Sequence, residues 1–318
     1  MMQRYRRELS VALAFAGLLA VLAMPSKGPD ESSGRPGFFQ TNQWQADLVS
    51  SAPVLVAAVG MTLVILARHI DISIGSQFSV CGIVAGLLAG RGLPLPVVAG
   101  GTLAAGALMG ALNGALVAGL RLPSIVVTLA TMVILRDSLR WAREGEFVHG
   151  LPPGFQWFGA GQEVGQWLVV GVALAVLVAF AWAMRYLAAG RAVYATGSDA
   201  EAARLAGIRP RRVVFGVFVL MGVLTGLAGL LNAVRFVDVD PNAGSGLELQ
   251  VIAAVVVGGT AISGGRGTLV GTLLGVLLLG TLRPALVFLG IGAQWEKVIQ
   301  GTIILLAVVA DALGRKGK

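Results

Sequence analysis

Polar side chains set inside apolar stretches are where this chain could do chemistry: Asp71, Ser73, Asn113, Thr128, Thr131, Asn232 and Gln300. All but Asp71 are uncharged, and amide or hydroxyl groups at such positions are the usual markers of a path for a polar solute across a membrane. Each taken singly also suits a hydrogen bond between helices, worth on the order of 0.6 kcal/mol. Covalent chemistry has no candidate residues. The chain has two histidines, 69 and 149, and one cysteine, 81, which is too few for a metal site of ordinary spacing. It has no Gly-x-x-x-x-Gly-Lys-Ser/Thr loop to hold a nucleotide phosphate. Asp71 follows Arg68 and His69 closely, with Ser73, Gly75 and Ser76 just after it. That stretch reads either as a tight turn in which Asp71 balances Arg68, or as a break in helix near a pathway.

The elements that must hold these residues are membrane spans. Of the 318 residues, 56% are apolar and only 13% are charged, about half the charge of an ordinary soluble domain. One cysteine excludes a disulfide scaffold, and the 45 glycines follow no triplet period. Apolar runs near 9–25, 52–68, 72–90, 96–119, 123–139, 166–185, 212–234, 249–264, 267–282 and 294–311 predict ten transmembrane helices, each needing roughly 20 residues. The fold class expected is therefore all-α, a single polytopic domain over 1–318. The first run follows MMQRYRRE like a signal peptide, but no clean small-x-small site ends it, so an uncleaved helix is expected. With the N-terminus in the cytoplasm, the inside segments hold 15 of the 24 basic residues and five of the 16 acids. The positive-inside rule thus favours ten spans with both termini cytoplasmic. The net charge of +8 is accounted for by topology, and no aromatic-basic interleaving points to nucleic acid. Two long outside segments, 26–50 and 140–165, carry PGFFQTNQWQ and LPPGFQWFGAGQ, which suit the headgroup boundary or a docking face.

Glycines four apart recur in two places. Gly106, Gly110 and Gly114 precede one Leu-Arg-Leu-Pro stop, and Gly267, Gly271 and Gly275 precede a Leu-Arg-Pro. Small residues at this spacing line one helix face and let backbones approach. The first run travels out-to-in and the second in-to-out, as two inverted halves, about 1–139 and 166–311, would require. The segment 258–267, GGTAISGGRG, predicts either a short eighth helix with close backbone packing or a simple inside turn. The one long inside loop, 185–212, contains Ser198-Asp199, which can cap a short helix over 200–206 with Glu201 in its first turn and Gly207 at its end. Such a helix reads either as a lever held by a soluble partner or as a plain solvated connection.

The spelling of that loop supplies a resemblance. Glu201-Ala202-Ala203-x-x-x-Gly207 resembles the coupling loop of permease subunits of ABC importers, without the Ile-x-Leu-Pro tail found in many of them. The surrounding ATGSDAEAARLAGI (195–208) resembles the ribose-type branch, the monosaccharide uptake family that also takes xylose, rhamnose and autoinducer-2. MTLVILARHIDISIGS (61–76), GALNGALVAGLRLPSIVVTLATMVILRD (110–137) and AAVVVGGTAISGGRGTLVGTLLG (253–275) are similar to three further family segments in family order, over some 220 residues. Arg68-His69 stands where ribose-type members carry a double glycine, which leans toward the autoinducer-2 or rhamnose types. The resemblance implies a non-catalytic pore subunit of the bacterial inner membrane. Its partners would be a separate ATP-binding subunit, an extracytoplasmic solute-binding protein and a second permease chain, identical or paralogous. No cofactor would be bound by this chain; ATP would sit on the partner. Ser198, Asp199, Glu201, Ala202, Ala203 and Gly207 would couple to the ATPase. A neutral sugar would be met by Asn113, Thr128, Thr131 and Asn232, with Asp71 and Ser73 near the pathway. A stand-alone transporter on an ion gradient remains the other reading, although mid-span carboxylates are scarce.

Overall fold

A computed structural model of the chain describes residues 11–13, 15–20, 43–292 and 294–316. The expected segment 1–8, most of 26–50 and parts of the first span lie outside the described residues. Among the described residues thirteen helices follow one another: α1 (Val11–Ala20), α2 (Gln43–Leu66), α3 (Ile74–Gly90), α4 (Leu95–Gly114), α5 (Ser124–Arg143), α6 (Gln162–Tyr186), α7 (Ala188–Ser198), α8 (Ala200–Leu205), α9 (Pro210–Ala233), α10 (Leu247–Val257), α11 (Leu269–Gly280), α12 (Leu282–Phe288) and α13 (Trp295–Lys316). A π-helical turn, Ala115–Gly119, prolongs α4. Among the described residues the only strand-like pairing is one antiparallel bridge between Val148 and Val239. The all-α class holds, and the makeup is that of a polytopic membrane protein.

Among the described residues five stretches are long and apolar enough to cross a membrane: Trp44–Leu66, Leu95–Gly119, Gln162–Tyr186, Pro210–Ala233 and Leu269–Phe288. α3 and α10 are short, and α5 carries Arg136, Asp137, Arg140 and Arg143 at one end. α2 and α9 form the centre. In α2, 83% of the apolar window is buried, against 22% in α4 and in α6, whose outer faces are left for lipid. α9 packs on α2, α3 and α4, while α2 also meets α6, α10 and α11.

Glycine decides how closely these helices approach. A Cβ on Gly106 or Gly110 of α4 would land on the backbone carbonyl of Gly222 or Phe218 in α9, and one on Gly222 would land on the carbonyl of Gly106. The α4–α9 seam is therefore backbone on backbone, the geometry small-xxx-small spacing allows. Gly114 faces Phe215 and Phe218 at the end of the same seam. In the second series, Gly271 of α11 abuts Gly258, just past the end of α10, and Gly275 abuts Ala254 of α10 in the same fashion. Gly267 departs from the expectation. It precedes Thr268, the residue that caps α11, so it lies off the helix and rests against Thr260.

Several boundaries correct the sequence reading. α2 starts nine residues before the expected 52, because Gln45 hydrogen-bonds Gln166 (2.9 Å) and Trp44 packs on Trp167 of α6. The expected eighth span, 249–264, ends at Val257: the Gly258-Gly259 pair, with Gly259 at φ 91°, turns the chain out of helix. Pro284 does not stop the ninth span. It lies in the first turn of α12, where a missing N–H is harmless. The segment before α10 is not a simple outer connection. Val239 lies against Gly86 and Gly82 of α3, and Gly244 against Ser79 and Gly75, so the irregular chain runs back along α3. At 1.5 Å per residue that is roughly 16 Å of descent.

Candidate functional site

The break between α2 and α3 carries a buried polar cluster. Ser73 donates both its backbone N–H (2.9 Å) and its hydroxyl (2.5 Å) to Asp71 Oδ1. Gln77, one turn into α3, donates from Nε2 to Ser73 Oγ at 2.7 Å and to Asp71 Oδ2 at 3.4 Å. Asn113 of α4 donates to Ser73 Oγ at 2.8 Å and accepts from Thr131 Oγ1 of α5 at 2.9 Å. Thr128 accepts from Ile72 N at 3.0 Å, and Ser124 Oγ accepts from Ile70 N at 3.3 Å. The irregular segment thus has its amides satisfied by hydroxyls on α5, the condition for non-helical backbone to be buried among spans. Asp71, Ser73, Gln77 and Thr128 are wholly buried, and Asn113 and Thr131 nearly so.

Of the two sequence readings for 68–76, the buried helix break describes Asp71 to Ser73, Gly75 and Ser76 being already in the first turn of α3, while Arg68, at φ 71°, turns at the surface. Asp71 does not pair with Arg68; its partners are Ser73 and Gln77. Five of the expected pathway residues therefore meet: Asp71, Ser73, Asn113, Thr128 and Thr131. Asn232 does not join them, lying half-buried in the last turn of α9, and Gln300 bonds to Glu296 within α13. Sequence reasoning missed Gln77 and Ser124, which the same criterion of polar residues in apolar runs could have found. It also missed Glu248 of α10, which is buried beside Gly75 and pairs with Arg136 of α5 at 3.5 Å. Gln77 Oε1 and Glu248 Oε2 are buried acceptors with no partner.

The second site is the loop 185–212, most of which folds into two short helices. α7 occupies Ala188–Ser198, and Asp199 caps α8 by accepting from Glu201 N (2.9 Å) and Ala202 N (3.0 Å). Asp199 alone does the capping. Ser198 is the last residue of α7, and a Cβ on Gly265 would strike it. Ala203 turns inward and is buried, whereas Leu205 stands 78% exposed, a large apolar side chain offered outward that the sequence reading did not single out. Gly207 ends the turn at φ 83°. Arg204 lies in ion-pair contact with Glu201, and this hydrogen bond and charge hold the Glu201 carboxyl below its ordinary value.

α7 seats this unit on the bundle. Gly197 packs so tightly on the carbonyl of Leu66, the end of α2, that no Cβ fits. The same carbonyl accepts from Gly265 N at 2.9 Å, and Tyr194 donates to Gly267 O at 2.9 Å. The glycine-rich segment 258–267 is thereby wedged between the end of α2 and the end of α7, and its glycines at positive φ (259, 264 and 265) give it that path.

Comparison with known proteins follows this geometry. The family model described as branched-chain amino acid transport system / permease component matches residues 46–308. The chain is 37% identical over 280 residues to the ribose import permease protein of Escherichia coli (strain K12), covering 87% of each chain. It is 37% identical over 282 residues to the autoinducer 2 import system permease protein of Escherichia coli (strain K12 / DH10B), covering 87% of this chain and 82% of that one. It is 35% identical over 306 residues to the autoinducer 2 import system permease protein of Enterobacter sp. (strain 638), covering 96% and 86%. No solved structure matches.

Proposed function

The chain belongs to the family of branched-chain amino acid transport system permease components, and from that membership we propose that it is the pore-forming subunit of an ATP-driven importer for a monosaccharide or sugar-like solute. Relatives named for ribose and for autoinducer 2 set the substrate class. The chain performs no catalysis; a separate subunit binds and hydrolyses ATP. An extracytoplasmic binding protein delivers the solute, and a second permease chain completes the pore in the bacterial inner membrane.

The observation that carries this reading is the seating of α8. A short capped helix with an exposed Leu205 and an inward Ala203 follows directly on α7, whose last residues, Gly197 and Ser198, bear on Leu66 at the end of α2 and on Gly265. A soluble partner that grips α8 therefore pulls, through the end of α7, on the central helix of the bundle. In this reading Ser198, Asp199, Glu201, Ala202, Ala203 and Gly207 belong to coupling on the cytoplasmic side of the membrane, where both termini also lie.

Packing supports ten crossings in two inverted halves. Exchanging α2 with α9, α3 with α10, α4 with α11 and α5 with α13 turns the contacts α3–α4, α4–α9, α3–α9 and α3–α5 into α10–α11, α11–α2, α10–α2 and α10–α13, all of which occur. Inverted halves place a solute site between repeats. The cluster of Asp71, Ser73, Asn113, Thr128 and Thr131 lies beside such a junction, and the open acceptor on Gln77 can take a hydroxyl hydrogen. Asn232 serves at most the outer approach, and Gly106, Gly110, Gly114, Gly271 and Gly275 hold the helices together.

The test is uptake of ribose, rhamnose and autoinducer 2 by cells expressing this chain with its ATPase and binding protein. Glu201→Lys reverses the charge on α8, and Gly207→Pro forces a φ near −65° where the native value is 83°. Both are expected to abolish uptake while the chain stays inserted. Undiminished uptake in both variants at equal membrane levels would remove the coupling role.

A further inference from the structure

A cavity of about 320 Å³ opens at the α8 end of the bundle, between the α2–α3 break, the π-helical end of α4, α7 and the start of α9. Arg68, Arg121 and Arg211 line it from three different elements, with His69 beside them, and no carboxylate lines it. None of the three arginines makes an ion pair with a described residue. Positive-inside bias alone places arginines at this end, but it does not gather three around one hole.

The wall also holds an unused hydroxyl. Thr196 of α7 is 4% exposed, lines the cavity, and its Oγ1 has no hydrogen-bond partner. Buried threonines in a helix ordinarily donate to the carbonyl one turn back. Thr62, Thr102, Thr128, Thr131 and Thr225 do so here at 2.7–2.8 Å. Thr196 is left with its hydroxyl unpartnered in the wall of the cavity that the three arginines line. The first turn of α9, a helix of 24 residues with no side-chain cap, reaches the same cavity through Pro210, and a helix N-terminus favours an anion.

From these observations we infer that the cavity is an anion site for a phosphate group, held by Arg68, Arg121 and Arg211 with Thr196 Oγ1 donating from the wall. Guanidinium forks match phosphate oxygens and form its strongest hydrogen bonds. The phosphate comes either from the headgroup of an acidic lipid, which the position at a span end suits, or from free phosphate in solution. An occupant there ties the α2–α3 break to α7 and α9, the elements that bear on α8. The site stands independently of the transport reading, because its binding is measured without transport.

The experiment uses the full chain purified in mild detergent. Native mass spectrometry counts phosphatidylglycerol or phosphatidylcholine retained after exposure to each lipid, and thermal unfolding is followed against added inorganic phosphate. The wild type is expected to retain phosphatidylglycerol about tenfold over phosphatidylcholine if the source is a lipid, or to be stabilised by inorganic phosphate if it is soluble. Arg121→Gln/Arg211→Gln is expected to lose that binding at least about tenfold. Arg185→Gln/Arg191→Gln, which removes the same charge outside the cavity, is expected to keep it. Thr196→Val leaves every charge and the topology in place and is expected to weaken binding several-fold. Binding of neither probe by the wild type, or equal loss in the two arginine pairs, or full binding by Thr196→Val, overturns the assignment.

Discussion

At the scale of the residue, Asn113 is the joint of the polar cluster. Its amide donates to Ser73 and its carbonyl accepts from Thr131, so one side chain ties α4 to the α2–α3 break and to α5. Truncation leaves buried partners short of a bond. Asn113→Ala is therefore expected to cost about 1–2 kcal/mol, measured by thermal unfolding in detergent. Asn232→Ala removes a half-buried group in the last turn of α9 and is expected to cost less than about 0.5 kcal/mol. Equal losses would contradict the cluster as drawn. Polarity inside apolar runs was enough to single out both asparagines from the sequence. It could not tell them apart, because only the crossing of α4 with α5 and the break brings Asn113 to partners. Gln77 was overlooked although it obeys the same rule, and its position four residues after Ser73, on one face of α3, was the available signal.

At the scale of the element, local chemistry was legible and pairing was not. Asp199 as a cap, Gly207 as a turn-ending residue and the length of α8 follow from rules that act within a few residues. The glycine series on α4 announced a close seam, but its partner, Gly222 of α9, lies in a helix more than a hundred residues away and carried no local mark. That pairing is testable. Gly222→Leu puts a side chain into backbone carbonyls of α4 and is expected to cost about 3 kcal/mol or more, seen as loss of folded chain in detergent. Gly216→Leu, on the same helix with open space at its Cβ, is expected to be tolerated. The limits of α10 were illegible for another reason. Hydropathy runs on through Gly258-Gly259 and Ala261-Ile262, whereas the helix stops where glycine backbone turns, so apolar length overstated the span.

At the scale of the whole molecule, the question is how movement of α8 reaches the polar cluster. The path is short and stiff. Gly197 rests on the carbonyl of Leu66, three residues separate Leu66 from Ile70, and the amide of Ile70 is held by Ser124 of α5. The same carbonyl receives Gly265, so the segment leading into α11 shares the seat. A coupling claim requires an element that both ends bias, and under the proposed role of α8 this shared contact would be that element. Gly197→Ala adds one methyl where Leu66 O leaves no room, so α7 must lift from α2 while Asp199, Glu201 and Leu205 on α8 stay as they are. The partner subunit would still bind and hydrolyse ATP, but its stroke would no longer reach α2. Reconstituted with its ATPase and binding protein, Gly197→Ala is expected to lose uptake at least about tenfold, a change of about 1.4 kcal/mol or more in the coupled step, while hydrolysis stays within about twofold. Loss of both together would place the defect in assembly rather than in transmission. Retention of both would mean that the stroke travels another way, through the α7–α9 contact.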